Sequence, residues 1–302
     1  MLTVQITRVV PIYPDSVFIQ WEIEARDPPA GAGAIEMAVY RSESPAGPWD
    51  LISSTPIQDG QFFFVDDLTT PATSNLRALS RNWYYYVRAV NGAEEADSKA
   101  VDLLENFEDV LEQRSPLPAR FQDAHLRGSK RLILLRRKIL RDLWILLEKV
   151  KKGWKFAILK RKHYGSRCTN TQCWDPATRQ ALLQNCPVCH GTGWVDGYYD
   201  PFYTIGERRP TPIQEKIDAS RSEEEVHRFM FLDYPALAKK DILVDVERNE
   251  RFCVETVQPT EMQGIRVQQY VTATKLDRVD AVYTLDVDRN AAYHIRMDTR
   301  WH

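Results

Sequence analysis

Residues 167–194 read RCTNTQCWDPATRQALLQNCPVCHGTGW. They contain Cys168, Cys173, Cys186 and Cys189, and the chain's only other cysteine is Cys253. The spacing, C-x4-C then C-x2-C, suits a tetrahedral ion: each close pair wraps one edge, and thiolates at about 2.3 Å close the shell. Four protein ligands leave no open position for a substrate water. The segment therefore reads as a structural staple holding zinc (Zn2+) in a stretch without a core of its own. Gly191 and Gly193 let the backbone turn through positive φ and approach the sulfurs. His163 and His190 are alternative ligands that four cysteines make unnecessary. Two disulfides, or free thiols, are the competing reading. The N-terminus, Met1-Leu2-Thr3-Val4-Gln5, shows neither the charged nor the apolar region of a secretory signal. A chain made in the cytosol favours metal over disulfide. Cys253, between Phe252 and Val254, reads as a small core residue.

Upstream of the cysteines the charge is strongly segregated. The 302-residue chain has a net charge of only −2. Between Arg114 and Arg167, however, 17 basic residues face three acids (Asp123, Asp142, Glu148), a net of +14 that leaves −16 on the rest. Such asymmetry points to an anionic counterpart, either nucleic acid or the acidic surface of this or a neighbouring chain. Within this block Leu132, Leu135, Ile139, Leu143, Leu146 and Val150 recur at three- and four-residue steps, which predicts a helix from Ser129 to Lys152 with Gly153 at its end. Arg131, Arg136, Arg137, Lys138, Arg141, Lys151 and Lys152 are the candidate partner- or DNA-facing residues. A solvated packed helix, a channel or oligomer contact, membrane-surface binding and direct DNA reading remain open for them. Trp174, Trp194, Tyr198, Tyr199, Phe202 and Tyr203 surround the cysteine loop. They suit either base stacking or a small local core.

Further upstream, Val17, Ile19, Trp21 and Ile23 alternate with Phe18, Gln20, Glu22 and Glu24, the period of a half-buried strand. Strands are also expected at residues 35–41, 61–65 and 83–90, with a turn at Ser44-Pro45-Ala46-Gly47-Pro48 and a hairpin signal at Asn91-Gly92. This spacing predicts a β-sandwich over residues 1–104. Ile19-Gln20-Trp21, Val39-Tyr40-Arg41-Ser42 with Gly47-Pro48-Trp49, and Tyr86-Val87-Arg88-Ala89-Val90-Asn91 resemble the fibronectin type III family. Trp83 stands where that family usually has its corner tyrosine. The resemblance implies an interaction or spacer module. Separately, Cys186-Pro187-Val188-Cys189-His190-Gly191-Thr192-Gly193 resembles one CxxCxGxG knuckle of the DnaJ-type chaperones, in a single copy.

Downstream, strands are expected at 241–246, 251–257, 265–276 and 282–287, enough for a small barrel. The run from Asp233-Tyr234-Pro235 to Asp241-Ile242, then Arg251-Phe252-Cys253-Val254 to Pro259, resembles the small β-domain of tailed-bacteriophage head-completion proteins. That resemblance implies a virion structural protein of the neck, or head–tail connector. It would be a homo-oligomeric ring around the DNA channel, docked to the portal and to other neck or tail proteins, made in the host cytoplasm and located in the virion. DNA passing through the channel is a further partner. A zinc-stapled nucleic-acid-binding protein and a tail-fibre or baseplate adhesion component are the alternatives. No P-loop, dinucleotide fingerprint, HExxH or GxSxG occurs. No catalytic residue is nominated, and an enzyme is not expected. No apolar run approaches the ~20 residues of a membrane helix, so no membrane partner is expected.

The expected architecture is therefore multidomain α+β. It comprises the sandwich (1–104), a linker (105–118), a basic helical segment (119–160), the zinc-binding loop (161–206), an extended linker (207–227), a small β-barrel (228–290) and a C-terminal tail (291–302).

Overall fold

A computed structural model describes residues 2–13, 15–25, 35–53, 56–57, 60–68, 83–92, 94–103, 119–150, 153–170, 172–175, 180–183, 185–208, 213–214, 225–262 and 265–297. The described residues are mostly β, with one α-helix among them. The chain divides into two compact units. One is Met1–Asp142 with Gln263–Ile265 and Met297–His302; the other is Leu143–Met262 with Arg266–Arg296. Among the described residues no helix is long and apolar enough to cross a membrane. The expected linker at 105–118, most of 207–227, and Lys151 and Lys152 lie outside the described residues.

Among the described residues the first unit contains eight strands: β1 (Leu2–Ile12), β2 (Ser16–Ala25), β3 (Glu36–Ser42), β4 (Asp50–Leu51), β5 (Phe63–Asp67), β6 (Tyr84–Asn91), β7 (Glu94–Asp97) and β8 (Val101–Asp102). They form two antiparallel sheets, β1-β2-β5 and β4-β3-β6-β7, with β8 also on β6. In β1 buried Val4 and Ile6 alternate with exposed Thr3 and Gln5, and a register shift between Ile6 and Arg8 then resets the phase. Beyond it Val9 to Ile12 are all buried. Trp21, Val39, Tyr85 and Val87 fill the core. The Tyr85 hydroxyl donates to Asp66 Oδ2 at 3.0 Å, and Arg41 Nη1 reaches both carboxylate oxygens at 3.1 and 2.9 Å. Burial pushes the Asp66 carboxyl up against the pull of Arg41. Trp83 is buried, with the Arg41 guanidinium 4.6 Å from its ring centroid.

Helix α1 runs from Ala119 to Lys149. Its buried stripe is Ile133, Arg136, Leu140, Trp144 and Leu147, one residue on from the stripe expected from the leucine pattern. Leu146 and Val150, expected inside, are exposed. Arg136 apart, the observed stripe is as apolar as the expected one, so periodicity alone does not choose between them. The large Trp144 ring is buried against Tyr293, with centroids 5.6 Å apart, and it fixes the helix's rotation.

The second unit is built on a closed barrel. Its strands are β9 (Trp154–Leu159), β10 (Trp174–Asp175), β11 (Gln180–Ala181), β12 (Phe202–Arg208), β13 (Ile213–Gln214), β14 (Glu225–Leu232), β15 (Ile242–Asp245), β16 (Glu250–Met262) and β17 (Ile265–Lys275). The order β12-β9-β15-β16-β17-β14 closes because β12 also pairs with β14. Closure of these six strands leaves no open edge among them. Phe156, Phe229, Phe231 and Phe252 pack inside, with ring centroids 5.0 to 6.3 Å apart for the pairs in contact. Gly206 lies opposite Phe231, and a Cβ there would fall 2.6 Å from Phe231 Cδ1. The large ring fits the interior only against a residue without a side chain.

Several expected boundaries are corrected. Residues 154–159 form a barrel strand rather than helix, and the barrel begins there instead of at 228. Residues 202–206 belong to β12 rather than to the zinc-binding loop, and residues 207–208, 213–214 and 225–227 belong to β12, β13 and β14 rather than to a linker. Residues 282–287 form no strand: a 3-10 turn, Ala281–Thr284, is capped by Asp280, whose Oδ1 accepts from Val282 N at 2.9 Å. The last described residues are not a loose tail either. Tyr203 N donates to His294 Nδ1 at 2.9 Å, Lys155 Nζ donates to Arg289 O at 2.8 Å, and Ile295 and Met297 are buried.

One end of the barrel holds a charged network. Arg208 Nη1 lies 2.6 Å from Glu250 Oε2, Lys275 Nζ lies 2.8 Å from Glu250 Oε1, and Arg208 is 3.8 Å from buried Asp245. Burial alone would raise the Glu250 carboxyl, but hydrogen bonds from Lys275 and Arg208 outweigh it and hold it below its ordinary value. A depressed carboxyl adds stability above its unfolded pKa and loses it as pH falls through the folded one. Unfolding by urea should therefore become easier as pH drops below about 4.5, and Glu250→Gln should flatten that limb. Superimposable acid limbs in the two proteins would show that Glu250 is not the titrating group.

Candidate metal centre

The ladder between β9 and β12 does not stop at the barrel rim. It continues as Tyr199 N to Lys160 O (2.9 Å), Lys162 N to Gly197 O (2.9 Å), Val195 N to Ser166 O (2.9 Å) and Cys168 N to Gly193 O (3.0 Å). Isolated bridges join Arg161 to Tyr198 and Arg167 to Trp194. The cysteine loop is thus the irregular tip of a barrel hairpin. A connection this long needs some internal structure of its own, and the cysteines sit where the ladder ends.

Cys168, Cys173, Cys186 and Cys189 are all buried, with sulfurs within 4.8 Å of one another. Cys168 Sγ is 3.7 Å from Cys186 Sγ, and Cys173 Sγ is 3.2 Å from Cys189 Sγ. A regular tetrahedron with bonds of about 2.3 Å has edges of about 3.8 Å, whereas a disulfide needs about 2.05 Å. All four thiols are free, so the disulfide reading is not realised. The donor set fits a structural metal: four soft, buried ligands with no open position. The sulfur cluster forms without His163 or His190.

Local sequence explains the geometry. Cys186 to Cys189 turns back on itself, with His190 N donating to Cys186 O at 2.8 Å. Burial would raise the Cys186 thiol, but the amides of Cys189 and Val188 and the neighbouring thiols Cys173 and Cys168 bring it down to about 6. Cys173 goes the other way, pushed well up by burial and by its neighbours Cys189 and Cys186. The cluster is therefore predisposed to carry negative charge on Cys186, and a cation satisfies it. Thr192 clasps the second knuckle: its Oγ1 donates to Cys189 O at 2.7 Å and accepts from Trp194 N at 3.2 Å. Gly193 has φ +84°, and a Cβ there would lie 2.9 Å from the Trp174 ring. Arg167 is held between two indoles, 3.9 Å from the Trp174 centroid and 3.7 Å from that of Trp194. This sandwich and the Thr192 clasp were not foreseen; an arginine beside the first cysteine in a tryptophan-rich loop was the available signal. Of the expected aromatics, Trp194, Tyr199, Phe202 and Tyr203 are buried and Trp174 and Tyr198 are half-buried, which agrees with a local core.

The basic residues divide. Arg131 and Lys138 are exposed on α1. Arg136 is not partner-facing: it is 2% exposed and donates to Val9 O at 3.1 Å. Its five donors let it satisfy buried carbonyls inside an otherwise apolar stripe. Arg137 pairs with Asp15 at 3.4 Å, and Arg141 stacks 4.3 Å from the Tyr13 centroid. These two fasten the helix to the turn after β1. No known family model matches the chain, and no curated protein matches it.

Proposed function

We propose that the chain is a virion structural protein of a tailed-bacteriophage neck, a non-enzymatic subunit of an oligomeric ring joining the head portal to the tail around the DNA channel. The observation that carries this reading is the barrel. Residues 233–259, which resemble the head-completion β-domain, supply β15 and most of β16, two adjacent strands of the closed six-stranded ring. We also assign zinc to the four cysteines, because four thiolates in tetrahedral reach are its usual structural shell. The two sheets β1-β2-β5 and β4-β3-β6-β7 support a fibronectin type III reading of the first unit, which on this proposal serves as an appended interaction module.

The test is to locate the chain. Antibody labelling of purified tailed particles should mark the head–tail junction, and the isolated protein should form rings in electron micrographs. Labelling confined to fibre tips would favour the adhesion alternative, and absence of the chain from virions would end the connector reading.

A further inference from the structure

Two features of the first unit lack an assigned role. One is a groove of about 830 Å3 lined by the start of β1 and by parts of β2 and β7. Leu2, Val4 and Ile6 are among its lining residues, and Glu22, Glu24, Glu95 and Asp97 bring four carboxylates against one ammonium, Lys99. Asp97 is already paired with Arg88 at 2.7 Å, so the acidic character rests mainly on exposed Glu24 and Glu95. The other feature is the solvent side of α1, where Arg131, Leu134 and Lys138 follow one another at helical spacing and are all exposed. Leu134 is 54% exposed.

The stripe is basic with an apolar centre, and the groove is acidic with apolar residues in its lining. They cannot meet within one chain. Residues 131, 134 and 138 lie across the helix from Ile133, Arg136 and Leu140, the stripe that is buried. Arg136 fastens the packed side to Val9, and Arg137 and Arg141 reach Asp15 and Tyr13. The complementary stripe thus points away from the body that carries the groove.

We propose that the groove receives the Arg131–Leu134–Lys138 stripe of a second copy of this chain. The two patches differ, so the contact is head-to-tail, the kind that closes into a ring when the rotation per subunit allows it. This proposal rests on the oligomeric reading above and gives it a specific contact. Facing charges orient the approach and set its salt dependence, while Leu134 against the apolar lining residues adds an uncharged component.

A charge swap tests it on the full chain. Glu24→Lys with Glu95→Lys makes both patches basic, and Arg131→Glu with Lys138→Glu makes both acidic. Each double variant alone should sediment as a monomer, with self-association weakened at least tenfold, and an equimolar mixture should regain the wild-type assembly. Unchanged thermal unfolding of each variant would show that the fold is intact. If the wild type assembles and both variants still assemble alone, the contact is overturned while the ring reading stands. Retained assembly with DNA binding lost only in the Arg131/Lys138 variant would give the stripe to nucleic acid instead and equally overturn the contact. A wild type that remains monomeric overturns the contact, and labelling of particles then decides the connector reading separately.

Discussion

Asp241→Ala is expected to destabilise the second unit by about 3–5 kcal/mol, as breaking one side of a buried ion pair does. Lys160 Nζ and Asp241 Oδ2 are 2.8 Å apart, with side chains only 3% and 1% exposed. Asp241 also accepts from Arg161 N at 3.0 Å and Ala238 N at 2.7 Å. Removing the carboxylate leaves an ammonium and two amides without this acceptor in a place water does not reach. The position magnifies the effect. Lys160 is where β9 leaves the barrel for the metal hairpin, and Asp241 immediately precedes Ile242, which pairs with Leu159. The pair therefore holds the root of the hairpin against the next strand. Lys160→Met combined with Asp241→Asn removes both charges but keeps an acceptor oxygen for only one of the two amides, which use Oδ1 and Oδ2 separately, so it should recover part of the loss. Urea unfolding of the two variants decides the matter. A deficit under 1 kcal/mol for Asp241→Ala would show that water or neighbouring groups replace the carboxylate.

That pair also shows where sequence reading stops. The four cysteines were legible because a metal demands particular donors at short spacing, and local spacing is what a sequence displays. Helix α1 was legible as a helix, but its rotation was not. Leu132, Leu135 and Ile139 form as good an apolar stripe as Ile133, Leu140 and Trp144, and only tertiary packing separates them. Arg136 is buried because Val9 O lies within its reach, a partner far away in the chain. The same cause hid β9. Trp154-Lys155-Phe156-Ala157-Ile158-Leu159 directly follows a basic helix, and its strand neighbours, 202–206 and 242–245, come long after it. The stretch 282–287 misled in the opposite direction: its alternation suits a strand, but the Asp280 cap bends it locally into a 3-10 turn. The polar residues after 288 gave no core signal, because their anchors are backbone hydrogen bonds and the His294 ring stacked 5.0 Å from Phe202.

Metal analysis of protein purified without chelator should give one zinc per chain, and Cys186→Ser should weaken binding so that a chelator strips the metal at far lower concentration. Structural zinc contributes about 10–16 kcal/mol in finger peptides. Losing one of four thiolates should remove roughly a quarter of that, about 3 kcal/mol or roughly a hundredfold in affinity. Cys186 is the informative choice because the amides of Val188 and Cys189 already favour its thiolate, and serine cannot supply that charge. Damage should concentrate in the hairpin tip. Cys168 N to Gly193 O and Leu182 N to Cys173 O are backbone bonds whose register a bound ion would fix, and the Arg167 sandwich depends on that register. The barrel closes through β9 pairing with β15 and β12 pairing with β14, so it should keep its far-ultraviolet signal. Limited proteolysis should then cut the variant, or the wild type stripped by a strong chelator, between 161 and 201 and leave the barrel fragments joined. Acid should release the metal as well, since protons compete for the thiolates. Metal-free protein with two disulfides by mass spectrometry, equally resistant to protease, would refute the assignment. Global unfolding on chelation would show instead that the ion holds the barrel as well as its hairpin.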